Sequence, residues 1–122
     1  SERSWQKERG GQWIKGKSIA GPCGPWLVTK DEIKDTNDMN LTLDVNGERR
    51  QTGNTKKMIF NFNFLIAHIS QFMTLYPGTI ITTGTPAGTA MEMEKPKFLN
   101  SGDILHLKVD GLGEQKHKII EE

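Results

Sequence analysis

Cysteine is nearly absent from this chain. Cys23 is the only one among 122 residues, so the chain has no intrachain disulfide and no cysteine-built metal site, a usage that fits a reducing compartment. Charge bias is missing as well: 16 basic residues stand against 15 acidic ones. That balance supplies no field to draw in nucleic acid or an anionic membrane. No apolar run approaches the roughly 18 to 20 residues of a membrane-spanning helix, and the polar, charged opening residues are unlike a signal peptide. A cytoplasmic protein without nucleic-acid or membrane partners is expected. Internal repeats and low-complexity tracts are also lacking, and the length suits one modest domain with a single core.

What the chain does have is punctuation by glycine and proline. Gly21-Pro22-Cys23-Gly24-Pro25 forbids a regular element. The short apolar run at residues 26–29 suits a strand, and 31–37 is polar turn material. Asn40 to Val45 alternates Leu41, Leu43 and Val45 with polar neighbours, the period of a half-buried strand. Asn46-Gly47 follows, and because a type I′ turn needs positive φ at both central residues, a hairpin returning through residues 48–52 is predicted. Phe62, Leu65, Ile66, Ile69, Phe72 and Met73 then recur at helical spacing, with Asn61 as the cap and Pro77-Gly78 as the stop. Burying such a stripe contributes about 1.5 to 3 kcal/mol per large side chain, so core explains it without a cofactor. Residues 79–83 are β-branched and predict a buried strand that delivers the turn Thr83-Gly84-Thr85-Pro86-Ala87-Gly88. After an irregular stretch at 91–100, strands are predicted at 104–109 and 114–120, joined through Asp110-Gly111-Leu112-Gly113. The class is mainly β with one long helix.

Few residues carry chemistry on their own. Lys17, between Gly16 and Ser18 and near apolar Ile14 and Ile19, is the strongest candidate for an ammonium at a cavity edge. Lysines in loops are nevertheless usually solvated. Gly16-Lys17-Ser18 lacks the glycine spacing of a phosphate loop. The 83–88 turn follows an apolar run, so its hydroxyls and free amides are placed to cradle a carboxylate; a plain tight turn is the alternative. Arg3 and Gln6 would share one face of a helical turn, where a guanidinium and a carboxamide can clamp a carboxylate, or would be an ordinary exposed pair. His68, His106 and His117 show no ligand spacing, and Glu92 with Glu94 only superficially resembles a Glu-x-Glu metal pair.

In order along the chain, Ser1-Glu2-Arg3 with Gln6, Glu8-Arg9-Gly10-Gly11-Gln12-Trp13, Gly16-Lys17-Ser18, Gly24-Pro25-Trp26, Val45-Asn46-Gly47-Glu48, Met58-Ile59-Phe60, Thr83-Gly84-Thr85-Pro86, Lys95-Pro96 and Gly102-Asp103 form a series. That series resembles the fumarylacetoacetate hydrolase family, and most of all its ureidoglycolate lyase and 2,4-diketo-3-deoxy-sugar-acid hydrolase branch. The resemblance implies a mixed β-roll, of which residues 1–122 would be the C-terminal portion of the catalytic domain. It further implies a homodimeric enzyme that binds Mg2+ or Mn2+ through carboxylates and hydrolyses or cleaves a 2-oxo or 2,4-dioxo acid through a metal-stabilised enolate. An isomerase or tautomerase of an unsaturated oxo-diacid, like 5-carboxymethyl-2-hydroxymuconate isomerase, is the alternative within enzymes. A non-catalytic structural fragment is the alternative outside them. By resemblance Lys17 lies beside the metal site, and Arg3, Gln6 and Thr85 contact substrate. The family's carboxylate metal ligands are expected upstream of this chain, so no metal ligand is assigned within it. Ser4 departs from an acidic residue common in the family at that position.

Overall fold

The computed structural model describes residues 21–120. Among the described residues four strands carry the architecture: β1 (Asn40–Val45), β2 (Glu48–Asn54), β3 (Ile104–Val109) and β4 (Gly113–Lys118). They form one antiparallel sheet in the order β2-β1-β3-β4. One α-helix, α1 (Phe62–Ser70), lies among the described residues between β2 and β3, with short 3-10 turns at Lys30–Glu32, Thr55–Lys57 and Ala90–Glu92.

The predicted first hairpin is present, with Asn46 at φ 52° and Gly47 at φ 82°. Asn46 also stitches this hairpin to β3. Its backbone N–H donates to the Ile104 carbonyl at 2.8 Å, its Oδ1 accepts from the Ile104 N–H at 2.8 Å, and its Nδ2 donates to Asp103 at 2.8 Å. At the other end of β1, Thr55 closes the sheet. Its hydroxyl accepts from the Met39 N–H at 2.9 Å and donates to the Thr36 carbonyl at 2.9 Å, and Met39, Val45 and Thr55 are the buried residues among those described. A buried hydroxyl with both functions satisfied carries no desolvation debt.

One irregularity positions the site. Leu43 pairs with Gln51 but Asp44 pairs with Arg49, which leaves Arg50 as an extra residue in β2. Such a bulge bends the strand and re-aims its side chains.

The structure differs from the sequence expectations in four places. Residues 26–29 form no strand; the Trp26 ring instead lies against Gly113, where an added Cβ would come within 2.9 Å of it. Residues 79–83 form no strand. The helix ends at Ser70, well before Pro77, and β4 ends at Lys118. Lastly, no residue of α1 is buried. Phe62, Leu65 and Ile69 are half-covered on one side, whereas Phe64, Ile66, Phe72 and Met73 are exposed. Phe60, Phe64, His68 and Phe72 stack in a ladder along the exposed side, with successive ring centroids 4.6, 6.0 and 5.1 Å apart. The i,i+4 spacing lets these rings meet.

Candidate functional site

The turn at 83–88 lies across β2, and three contacts hold it there. Gly88 has φ 103°, and a Cβ built on it would stand 2.1 Å from the Arg50 carbonyl oxygen, so both its conformation and its place require glycine. The Pro86 ring covers Gly53, where an added Cβ would approach it to 2.9 Å. Between these two, the Gln51 carboxamide reaches into the turn. Its Nε2 donates to Thr85 Oγ1 at 2.8 Å and to the Pro86 carbonyl at 2.8 Å.

The far side of the turn is held by Glu92, whose Oε2 accepts from the Gly88 N–H at 2.7 Å and the Thr89 N–H at 2.8 Å. These bonds, that from Thr89 first and that from Gly88 next, keep the Glu92 carboxyl below its ordinary range. Glu92 is therefore committed to shaping the backbone, which answers the question raised by its spacing from Glu94. Upstream of the turn, Ile81 and Thr83 join Phe62, Leu65 and Ile66 of α1 around a mostly apolar trough of about 180 Å3. Helix and turn thus share a concave apolar surface with the exposed Thr85 hydroxyl nearby in sequence.

Of the candidate residues, Thr85 stands in this turn. Lys17, Arg3 and Gln6 lie outside the described residues. His68 is part of the aromatic ladder, His106 Nε2 lies 3.0 Å from Glu114, and His117 Nε2 lies 3.0 Å from Gln115. Among the described residues no three His, Cys, Asp or Glu side chains converge on a point that could hold a metal ion. These residues therefore do not by themselves make a site for Mg2+ or Mn2+. Gln51 is the functional candidate that sequence reasoning missed. Nothing in the local pattern of β2 distinguishes it, because its partner stands 34 residues away.

A family model described as the fumarylacetoacetate (FAA) hydrolase C-terminal domain matches residues 1–120. The chain belongs to the fumarylacetoacetate hydrolase family. A Burkholderia cenocepacia protein named no further than hydrolase is 53% identical over 118 residues, which are 94% of this chain and 42% of that protein. This chain thus spans less than half the length of the curated relatives it matches. The fumarylacetoacetate hydrolase of Exiguobacterium antarcticum superposes with a TM-score of 0.90 at 38% identity, over 98% of this chain and 43% of that one. This likeness establishes the family's fold for the chain. The maleylpyruvate hydrolase of Sphingobium sp. SYK-6, solved with manganese(II) and pyruvate, gives 0.71 at 34% identity over 80% of this chain and 34% of that one. A 5-carboxymethyl-2-hydroxymuconate delta-isomerase of Mycobacterium smegmatis gives 0.81 at 32% identity over 100% of this chain and 45% of that one. The family is one of enzymes, and hydrolases and isomerases both occur in it.

Proposed function

We propose that the intact protein is a divalent-metal-dependent hydrolase or lyase of a 2-oxo or 2,4-dioxo acid, to which this chain contributes the C-terminal part of the catalytic domain. The observation that carries the proposal is the 83–88 turn: an exposed Thr85 hydroxyl, fixed by a side chain of β2, in a chain whose fold is that of an oxo-acid hydrolase. Pyruvate and manganese(II) in the related maleylpyruvate hydrolase support the substrate class and the cofactor. By the family resemblance, Mg2+ or Mn2+ is assigned to carboxylate ligands upstream of this chain. When bound there, such a hard cation stabilises negative charge on oxygen.

The part played by this chain is to hold the substrate. Thr85 donates a hydrogen bond to a carboxylate or oxo group of the substrate, and the apolar trough of Phe62, Leu65, Ile66 and Ile81 lies beside the segment that leads into the turn. Lys17 supplies a positive charge beside the reacting carbonyl, and Arg3 and Gln6 clamp a carboxylate. A second reading, isomerisation of an unsaturated oxo-diacid, is favoured by the likeness to the Mycobacterium smegmatis isomerase.

Incubating the intact protein with 2,4-dioxo acids in Mg2+ or Mn2+ tests the first reading, with release of pyruvate or a shorter 2-oxo acid as the expected product. Isomer alone would select the second reading, and no turnover of either class would end both. Lys17→Met is expected to lower turnover about a hundredfold with metal affinity nearly unchanged, on the scale of losing one electrostatic contact to the transition state. Equal turnover in that variant would remove Lys17 from the mechanism.

A further inference from the structure

Gln51 decides which way the Thr85 hydroxyl points its proton. The neighbours of the Gln51 carboxamide settle which of its ends faces the turn. Here the atom nearest the turn faces the Pro86 carbonyl at 2.8 Å and the Ala87 carbonyl at 3.5 Å, both of which only accept. It is therefore the NH2 end, and its second hydrogen goes to Thr85 Oγ1 at 2.8 Å. A hydroxyl has one proton to give. With a lone pair of Thr85 engaged by Gln51, the acceptor left for the hydroxyl proton among the described residues is the Pro86 carbonyl at 3.3 Å, which is long for an O–H to O bond. Thr85 is exposed, so a ligand oxygen can displace that weak contact.

We infer that Gln51 is a positioning residue that presets Thr85 as a hydrogen-bond donor, so that the turn favours ligands that present an acceptor there, such as a carboxylate or a 2-oxo oxygen. The Arg50 bulge is the structural cause, since the extra residue sets Gln51 under the turn while the Arg50 carbonyl meets Gly88. This inference rests on Thr85 being a substrate contact, as proposed above.

A double-mutant cycle separates the two ideas. Pyruvate binding to the intact protein in Mn2+ would be measured calorimetrically for wild type, Thr85→Val, Gln51→Leu and the double variant, with melting temperatures recorded for all four. Thr85→Val is expected to weaken pyruvate about tenfold, the scale of one hydrogen bond to a charged group. Gln51→Leu is expected to weaken it about threefold to tenfold in the wild-type background and not at all in the Thr85→Val background. A loss on Gln51→Leu that persists in the double variant would overturn the inference and leave Thr85 as a contact, since Gln51 would then act only by bracing the turn through Pro86. No loss on Thr85→Val would overturn both. Gln51→Glu serves where Gln51→Leu fails to fold. Its carboxylate draws the Thr85 proton toward itself, so its binding loss is expected to exceed that of Leu and to diminish as the pH is lowered toward 5, and a loss independent of pH would count against the inference.

Discussion

The four-stranded sheet and α1 meet the demands of burial in opposite ways. In the sheet, short-range signals and long-range bonds agree: the Asn46-Gly47 turn, the Thr55 clasp and the pairing of β1 with both β2 and β3 all fix the same register. Helix α1 has a well-placed cap, with Asn61 Oδ1 accepting from the Phe64 N–H at 2.9 Å, yet it buries none of its residues. Local sequence is enough to start a helix, whereas its covering depends on what is packed over it. The 83–88 turn lies between these extremes. It is an exposed loop, but it is anchored to the sheet through Gln51, Gly53 and Gly88, and so it inherits the sheet's rigidity at the point where Thr85 is displayed.

The largest effect expected from breaking this arrangement comes from Gly88→Ala. The added methyl would run into the Arg50 carbonyl at a φ that side chains rarely adopt, and a loss of about 3 kcal/mol or more is expected in chemical denaturation. A loss below about 1 kcal/mol would mean that the turn is not seated on β2. Thr55→Val keeps the shape of the clasp but removes both of its hydrogen bonds and leaves the Met39 N–H without its partner, for an expected loss of about 2 kcal/mol in urea unfolding.

Ile66→Ser sharpens the contrast from the other side. Ile66 is 48% exposed on α1, so the substitution is expected to change stability by less than about 1 kcal/mol. A loss of several kcal/mol in the intact protein would show that this face is covered there. A smaller effect is expected with pH. The Asp103 carboxyl is held below its ordinary range first by the Asn100 N–H and then by Asn46, so its folded pKa lies under the unfolded one. Its contribution is therefore fully present above the unfolded pKa and is lost as pH falls through the folded pKa. Asp103→Asn is expected to flatten the acid limb of the stability curve and leave its neutral portion sloping as before.

Legibility in the sequence followed the range of the interaction that decides each feature. Both hairpins, the helix start and the mainly β class could be read because turn residues, caps and alternation act within a few positions. The length of the helix could not: Pro77 marks the last possible stop, while α1 ends at Ser70 with Gln71 as its C-terminal cap. Residues 79–83 have the composition of a strand, but a strand also needs a neighbour to pair with, and composition does not name one. Thr85 could be singled out as a candidate because its turn has a distinctive run of glycine, threonine and proline and a family likeness. Gln51 could not, because its contact is with a segment distant in sequence.

The account stands most directly on where a ligand sits against the turn. A crystal structure of the intact protein with Mn2+ and pyruvate would measure the distance from Thr85 Oγ1 to the nearest pyruvate oxygen. The account predicts a hydrogen bond of about 2.5 to 3.0 Å, with the Gln51 carboxamide still donating to the same hydroxyl. Pyruvate bound elsewhere, with Thr85 beyond hydrogen-bonding reach, would contradict it.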